Sequence, residues 1–383
     1  MNVPLLDLKA QYATIKNEID KALADCVDSQ YFILGPQVKE LEEQVAAYCG
    51  AKYAVGCASG SDALLLSLMA LGAGPGKAVV TTPFTFFATA GSIWRLGARP
   101  VFVDIDPRTY NMSPGFLEDV LDNRCAFNNG TLRSPDGDEI CAVMPVHLFG
   151  QCAVMDAVLE IAGRYNLPVV EDAAQAIGSE YKGKRAGTLG ALGCFSFFPS
   201  KNLGGFGDGG MVTTSDEKLE AVVRILRTHG GRKKYFHDVV GMNSRLDTLQ
   251  AAVILAKLPH LDEWNGKRAA HAAFYNKAFA GTKVETPFKT NDTNHIYNQY
   301  TIRVPDRDGL QAHLKEKGVG NAVYYPLPLH IQNCFRDLGY REGDMPESER
   351  AAEEVISLPV YPELTEDMQK YVVETVLDHV GAG

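Results

Sequence analysis

The sequence predicts an α/β protein with a mostly parallel sheet between helices and a small α+β domain at the C-terminal end. Three observations support this class. The chain has 383 residues, more than one hydrophobic core usually holds. Short apolar segments alternate with helical patterns between residues 50 and 215. Strand and helix patterns are mixed after about residue 285. We therefore expect a large domain over residues 1–250, and a long connecting helix with a small domain over 251–383.

Short β-branched or apolar segments between residues 50 and 215 predict a seven-stranded sheet. The predicted strands cover residues 53–57, 78–82, 99–103, 140–145, 168–171, 194–197 and 210–213. Helices are predicted over 61–71, 86–96 and 153–165. The first of these is apolar nearly all round, which is typical of a helix buried in a large domain.

The remainder of the chain is predicted from weaker patterns. A helix is expected from 216 to 227, then a polar stretch to 243 and one long helix from 246 to about 279. The small domain should hold a strand over 299–304, a helix over 308–317, a second strand near 321–325 and a last helix from 365. Residues 123–139 are rich in Asn, Gly and Asp, which indicates a surface excursion.

Charge and composition narrow the possible partners. The formal net charge is −10, and the only basic run is Arg232-Lys233-Lys234, so we expect no nucleic-acid partner. The chain has neither the pattern of a signal peptide nor an apolar stretch of about 18 residues, so we expect a cytoplasmic protein without membrane contact. The eight cysteines show no Cys-x-x-Cys pair and no metal-ligand spacing with His, which predicts reduced thiols and no metal site.

The most informative segment covers residues 195–212 and contains Lys201. This lysine follows an apolar strand, lies among aromatic residues and precedes a run of glycines. Burial in such surroundings would lower the pKa of the amine and leave it free to attack a carbonyl, as a Schiff-base lysine requires. An isolated lysine after a strand is more often a surface amine, so the prediction depends on the other motifs.

A second motif, residues 168–176, places a carboxylate at the C-terminal end of a predicted strand. Open α/β sheets hold their ligands at this end. We expect Asp172 to pair with a protonated pyridine nitrogen, which would keep a cofactor ring able to accept electrons. The alternative is that Asp172 merely caps a helix.

A third motif, residues 56–65, is a strand, a turn of small residues and a helix start. Backbone N–H groups and the helix dipole make such a junction an anion site. It could equally be an ordinary capped helix, with Ser61 or Asp62 as the cap. The glycines at 204–210 do not fit the Gly-x-Gly-x-x-Gly spacing, and they follow the lysine instead of opening a helix, which argues against a nicotinamide enzyme.

With these motifs the sequence resembles the sugar-nucleotide aminotransferases of the DegT/StrS group, which are pyridoxal-phosphate enzymes of fold type I, like aspartate aminotransferase. The resemblance covers nearly the whole chain. It is carried by the segments 4–8, 32–36, 58–64, 145–151, 171–175, 243–247 and 325–330. It implies pyridoxal 5'-phosphate as the cofactor, a homodimer with shared active sites, and an amino-acid donor, with L-glutamate expected.

The resemblance also implies a role for each matching residue. Lys201 would form the Schiff base and Asp172 would pair with the pyridine nitrogen, so these two are the predicted catalytic residues. The other predicted cofactor contacts are Gly60, Ser61, Asp62 and Ser196 at the phosphate, Gln175 at the ring hydroxyl, Phe86 and Ala174 on the two ring faces, and Asn243 from the second subunit. Phe87 beside Phe86 leaves the stacking residue ambiguous by one position, and Ser61 replaces a more usual threonine.

The substrate is less sharply predicted. A nucleotide diphosphate needs cations or hydrogen-bond donors, for which His229, Arg232, Tyr325 and His330 are the candidates. The segment 241–251 resembles the branch that aminates 3-keto sugars, linked to UDP or dTDP. A 4-keto sugar nucleotide and a cyclitol ketone remain alternatives. A dehydratase would carry histidine in place of Lys201, and a non-catalytic regulator would be expected to lose the motif residues.

Overall fold

All seven predicted strands are present in the computed structural model, which describes residues 1–233 and 235–381, and their ends lie within two residues of the predicted ones. Seven further strands complete the set. In chain order the strands are β1 (Tyr53–Cys57), β2 (Lys77–Thr81), β3 (Arg99–Phe102), β4 (Ala126–Asn128), β5 (Thr131–Arg133), β6 (Glu139–Met144), β7 (Val170–Asp172), β8 (Glu180–Tyr181), β9 (Lys184–Arg185), β10 (Leu192–Ser196), β11 (Gly210–Thr214), β12 (Thr293–Asn294), β13 (Tyr300–Arg303) and β14 (Val355–Leu358).

The predicted seven-stranded sheet is confirmed in part. Its strands are divided between a four-stranded sheet of order β1-β11-β10-β7 and a five-stranded sheet of order β3-β2-β6-β5-β4. Isolated parallel bridges, Val143 with Val169 and Val146 with Asp172, join β6 to β7 and so connect the two sheets. Strand β11 runs antiparallel to both of its neighbours, while β7 and β10 are parallel.

Helices cover the sheets and, together with β12, β13 and β14, form the C-terminal part of the chain. They are α1 (Leu8–Thr14), α2 (Lys16–Ser29), α3 (Pro36–Cys49), α4 (Gly60–Ala70), α5 (Ala88–Arg95), α6 (Pro114–Glu118), α7 (Met155–Gly163), α8 (Glu217–Leu226), α9 (Thr248–Lys257), α10 (Leu261–Ala278), α11 (Arg307–Glu316), α12 (Pro346–Glu354) and α13 (Glu366–Gly381). Six side chains of α4 are buried, as its apolar sequence predicts. No helix among the described residues combines the length and apolar character needed to cross a bilayer.

The long helix predicted from 246 to about 279 is not continuous. A 3-10 turn, Leu258–His260, separates α9 from α10. Its central residue is Pro259, which lacks an N–H group and whose ring crowds the preceding turn, so the α-helical hydrogen bonds cannot continue through it.

One other prediction differs from the structure. Residues 321–325 form no strand; a single bridge joins Ala322 to Ser357, and β13 pairs with β14 instead. Pro326 follows directly, and its missing N–H is unsuited to continuing a ladder. The polar excursion at 123–139 contains the hairpin β4–β5, which extends the edge of the five-stranded sheet, and Phe127 packs edge-on against Tyr165.

The C-terminal part has a hydrophobic cluster of its own, which includes Tyr275, Tyr300 and Val376. Val3 from the N-terminal segment is buried in the same cluster, and its backbone exchanges hydrogen bonds with Gly318 and Gly320. The first residues of the chain therefore pack with the last third of it. The boundary near residue 250 stays a prediction.

Candidate active site

Three strand ends come together at one edge of the four-stranded sheet. Gly210 at the start of β11 pairs with Cys57 on one side and with Ser196 on the other. On the far side of β10, Cys194 pairs with Asp172 at the end of β7. The carboxyl ends of β1, β10 and β7 are thus neighbours, and ligands of open α/β sheets bind at such an edge.

The turn after β1 packs directly against the end of β10. A Cβ added at Gly60 would lie 2.6 Å from the Cβ of Ser196, so only glycine allows this approach. Ser59 is the cap of α4, because its hydroxyl accepts a hydrogen bond from the Asp62 N–H at 3.1 Å. The expectation that Ser61 or Asp62 caps the helix is therefore wrong. Ser61 is exposed and Asp62 half-buried.

The carboxylate of Asp172 is 4% exposed, and this burial raises its pKa. Thr89, Ala174 and Lys201 are among the neighbours that act in the opposite direction. The Thr89 hydroxyl donates to Oδ2 at 2.7 Å, the Ala174 N–H donates to Oδ1 at 3.3 Å, and the amine of Lys201 is attracted electrostatically. These interactions favour the ionised carboxylate against the cost of its burial.

Lys201 follows β10 in a short loop, and its backbone N–H donates to the carbonyl of Phe198 at 2.9 Å. Burial lowers the pKa of the Lys201 amine to about 8, while the Asp172 carboxylate acts to raise it. An amine with this pKa has a large neutral fraction near pH 8 and can act as a nucleophile or accept a proton. The sequence-based expectation of a lowered pKa is confirmed.

Gln175 is held in a fixed orientation beside Asp172. Its Oε1 accepts the Phe149 N–H at 2.7 Å, so its Nε2 is the donor to the Tyr325 hydroxyl at 3.0 Å. The structure thus brings the predicted substrate residue Tyr325 into contact with a predicted cofactor residue. Ala174 lies between Asp172 and Gln175 and is half-buried.

The two neighbouring phenylalanines have different surroundings. The ring of Phe86 lies 6.2 Å from that of Tyr325 and is 57% exposed. The ring of Phe87 stacks on Phe335 at 5.6 Å. Phe86 therefore belongs to the cluster around Tyr325, while Phe87 packs against the C-terminal part of the chain.

Sequence reasoning missed two features of this edge. Thr89 in the first turn of α5 supports Asp172, and only its position three residues after Phe86 could have indicated it.

The second feature is a fully buried pair next to Asp172 in the chain, in which His147 Nε2 and Glu171 Oε2 are 2.9 Å apart. The Ala153 N–H donates to His147 Nδ1, so Nε2 carries the proton and donates to Glu171. Glu171 also accepts the N–H groups of Gly187, Leu189 and Gly190.

Three predicted residues lie in the segment after α8. His229 and Arg232 are exposed, and Arg232 Nε lies 3.6 Å from Asp238 Oδ2. Asn243 is exposed and forms a bridge with Thr228. The hydroxyl of the next residue, Ser244, accepts the Ala58 N–H at 3.3 Å, which places this segment beside the β1 turn. Lys234 of the basic run lies outside the described residues.

His330 has a different environment from the other predicted residues. Its side chain is fully buried, with Nε2 2.9 Å from Glu349 Oε1. Its ring packs against Phe102 and Tyr340. This arrangement encloses His330 in an aromatic cluster, and a direct substrate contact by it stays a prediction.

The fold and this edge define a class of enzyme. A nucleophilic amine is held near a buried carboxylate, and a small-residue turn with helix N–H groups lies two strands away. Such a set can bond a carbonyl carbon, hold a cationic ring nitrogen and bind an anion. This is the chemistry of a lysine-dependent enzyme with a carbonyl cofactor.

The comparisons with known proteins give the family. The model of the DegT/DnrJ/EryC1/StrS aminotransferase family matches residues 13–377. The chain belongs to this family and is a pyridoxal-phosphate-dependent aminotransferase. It is 51% identical to a "pleiotropic regulatory protein" of Geobacillus stearothermophilus, over 99% of this chain and 98% of the relative.

Two further relatives carry the names of characterised activities or complexes. One is the UDP-2-acetamido-2-deoxy-3-oxo-D-glucuronate aminotransferase of Pseudomonas aeruginosa, 44% identical over 94% of this chain and 96% of the relative. The other is the crystal structure of DesV from S. venezuelae in complex with a ketimine intermediate, 40% identical, with a TM-score of 0.92 and 98% of both chains covered. The predicted family, enzyme class and cofactor are confirmed.

The residues present fit pyridoxal phosphate. The phosphate needs a turn with free N–H groups and hydroxyls, and the contact of Gly60 with Ser196 brings the start of α4 and a serine hydroxyl together. The ring nitrogen needs a carboxylate, which the buried Asp172 would supply. The aldehyde needs a lysine of lowered pKa, and Lys201 would be that lysine.

Proposed function

We propose that this aminotransferase aminates a keto sugar carried on UDP or dTDP, at C3 of the sugar, with L-glutamate as the amino donor. The observation that carries the proposal is the electrostatic interaction of the Lys201 amine with the Asp172 carboxylate, near the carboxyl ends of β10 and β7. The Pseudomonas aeruginosa relative is named for a 3-oxo sugar linked to UDP, and this name supports a sugar nucleotide as the substrate and C3 as the position that is aminated.

In this proposal each residue of the edge has one task. Lys201 binds the cofactor covalently, and Asp172 holds the proton on its ring nitrogen. Gln175 donates from Nε2 to the ring hydroxyl, while Phe86 and Ala174 cover the two ring faces. Gly60, Ser61, Asp62 and Ser196 bind the phosphate through N–H and hydroxyl groups. The bound cofactor supplies an electron sink for the substrate carbon that loses its proton.

The chemical task of Lys201 continues after an amino acid has replaced it on the cofactor. The free Nζ, with its pKa lowered to about 8, would take the proton from the donor's α-carbon and return the same proton to the cofactor, acting first as base and then as acid. Thr89, the Ala174 N–H and Lys201 act against the rise in the pKa of Asp172 that its burial causes, and so favour the ionised carboxylate. The second half-reaction reverses these steps with the keto sugar, which predicts ping-pong kinetics.

We further propose a homodimer in which Asn243 reaches the phosphate of the second subunit. Asn243 is exposed in the single chain, although its neighbour Ser244 is anchored to the β1 turn. The flanking segment also exposes large apolar side chains, of which Val240 is 89% exposed and Tyr235 is 82% exposed. Exposed apolar residues at one place are typical of an interface. His229 and Arg232 in the same segment are the proposed contacts for the substrate diphosphate.

A substrate panel tests the proposal. The purified enzyme is incubated with L-glutamate and, separately, UDP- and dTDP-linked 3-keto sugars, a 4-keto sugar nucleotide and inosose, and formation of 2-oxoglutarate is measured. Turnover with a 3-keto sugar nucleotide is expected, and Lys201→Ala should abolish it. Turnover confined to the 4-keto sugar or to inosose would overturn the substrate assignment. Turnover with none of them, at the level of Lys201→Ala, would favour a regulator, the function named for the 51% identical relative.

A further inference from the structure

The loop that carries Lys201 is tightly folded on itself. The Phe197 N–H donates to the Gly209 carbonyl, and the Gly205 N–H donates to the Phe197 carbonyl, both at 2.8 Å. The Lys201 N–H closes a smaller turn on Phe198. The position of the Lys201 amine therefore depends on how residues 197–209 are held.

Two side chains of α9 hold the second half of this loop. Gln250 Oε1 accepts the Phe206 N–H at 2.7 Å. Lys257 Nζ donates to the Gly204 carbonyl at 2.7 Å and lies 5.0 Å from the centre of the Phe206 ring. Both contacts are made within five residues of Lys201 in sequence.

The glycines of the loop are explained by this approach of α9. A Cβ at Gly205 would lie 2.8 Å from Gln250 Oε1, and one at Gly207 would lie 2.9 Å from Gln250 Nε2. Both distances are shorter than real Cβ contacts allow. Glycine at positions 205 and 207 thus leaves room for the end of the Gln250 side chain beside the loop backbone.

The first half of the loop is held from the other side. Asn202 is 3% exposed, and its Nδ2 donates to Asn265 Oδ1 at 2.6 Å. Its Oδ1 accepts from Asn298 Nδ2 at 2.8 Å. Asn265 lies in α10 and Asn298 precedes β13, so Asn202 ties the residue next to Lys201 to the C-terminal part of the chain.

Lys257 is the unusual member of this set, because it is a lysine that is only 2% exposed and whose Nζ donates to a backbone carbonyl. Its burial lowers the pKa of its amine to about 8, and the charge of Glu363 acts against this shift. Burying an amine that is compensated by one carbonyl and one aromatic ring is costly. An apolar side chain of similar length would fill the same space, so the contact with Gly204 is what distinguishes lysine at this position.

We propose that Lys257 is a positioning residue for the aminotransferase reaction, which holds the Gly204 carbonyl and thereby keeps the Lys201 amine directed at its reaction partners. The proposal rests on the proposed function of Lys201. A purely structural anchor would alter the thermal stability of the protein and leave the properties of the Lys201–cofactor bond and the turnover unchanged.

The test compares Lys257→Met, which keeps the length but loses the donor, with Lys257→Arg, which keeps a donor. The control is Lys267→Met, the same change at an exposed lysine of α10. The holoenzymes are compared by spectrophotometric pH titration of the lysine-bound cofactor, by steady-state kinetics and by Tm. In Lys257→Met we expect a shifted titration midpoint and a kcat about tenfold lower, with KM for both substrates within about twofold. Lys257→Arg should recover most of kcat.

Several outcomes would overturn the inference. One is a Lys257→Met enzyme that has the same kcat and the same titration midpoint of the lysine-bound cofactor as Lys267→Met, whatever its Tm. If Lys257→Met does not fold, Gln250→Leu and Gln250→Glu replace it, since only Glu keeps an acceptor for the Phe206 N–H. A loss of kcat in Gln250→Leu but not in Gln250→Glu supports positioning of the loop. Equal kcat values in the two variants contradict it. A wild type without cofactor on Lys201 would refute the proposed function itself, whereas a normal wild type with a normal Lys257→Met refutes only the positioning role.

Discussion

The hydroxyl of Thr89 donates a 2.7 Å hydrogen bond to Oδ2 of the buried Asp172. This bond joins the first turn of α5 to the end of β7, and it acts against the rise in the pKa of Asp172 that burial causes. In the proposed function the ring nitrogen of the cofactor pairs with an ionised Asp172, so Thr89 is expected to contribute to the reaction without contacting the substrate.

Replacing Thr89 by Val should therefore move the acid limb of the pH–activity profile upward. A hydrogen bond to a charged group contributes about 1.5–3 kcal/mol, which corresponds to roughly one to two pKa units. Loss of the donor raises the pKa of Asp172 further, so the carboxylate protonates at higher pH and activity is lost there. Thr89→Ser keeps the hydroxyl and is the control. If the profiles of kcat against pH for Thr89→Val and Thr89→Ser were superimposable, this would contradict the role of the Thr89 hydroxyl in lowering the pKa of Asp172.

Covalent capture of the cofactor should depend on pH around the pKa of Lys201. Burial lowers this pKa to about 8, so in the apoenzyme the nucleophilic neutral amine is formed as the pH rises through 8. The rate of capture of added pyridoxal phosphate should rise over this range. Asp172 acts to raise the pKa of Lys201, and Asp172→Asn should therefore move the midpoint to lower pH. A midpoint near 10.5, the ordinary value for lysine, would show that Lys201 is not buried as described.

Gly60→Ala should weaken cofactor binding with little effect on folding. The added Cβ would lie 2.6 Å from Ser196 Cβ and would separate the α4 turn from the Ser196 hydroxyl. Loss of one hydrogen bond to the phosphate, at about 1.5–3 kcal/mol, predicts a Kd for pyridoxal phosphate roughly ten- to a hundredfold higher. Gly163→Ala in α7 is the matched control, since nothing lies within 4 Å of a Cβ there. Equal Kd values for the two variants would exclude the phosphate role of this turn.

The two neighbouring phenylalanines should give opposite results. Phe86 has an exposed ring beside Tyr325, so Phe86→Ala is expected to raise the Kd of the cofactor and lower kcat while Tm changes little. Phe87 stacks on Phe335, so Phe87→Ala is expected to lower Tm with a smaller effect on the Kd of the cofactor. Thermal unfolding and cofactor titration of both variants decide the question. The reverse pattern would assign the stacking role to Phe87.

The sequence was sufficient for seven strands between residues 53 and 214, because alternating apolar segments and small-residue turns are local patterns, but not for the hairpin β4–β5 or for the helices before β1. It did not reveal Thr89, Gln250 or Lys257, whose partners lie 83, 44 and 53 residues away in the chain. The sequence also did not reveal the surroundings of His330. A histidine after Pro-Leu-Pro-Leu is an attractive substrate contact, but its burial against Phe102 and Tyr340 depends on packing that no local pattern encodes.

The central claim is that Lys201 carries the cofactor, and reduction with borohydride tests it most directly. The holoenzyme is reduced, digested with protease and examined by mass spectrometry, with Lys201→Arg as the control. The expected result is a pyridoxyl phosphate adduct on the peptide that contains Lys201, and its absence from Lys201→Arg. An adduct on another lysine, such as the similarly buried Lys257, or an unmodified Lys201 peptide from a protein that has bound the cofactor, would contradict the assignment.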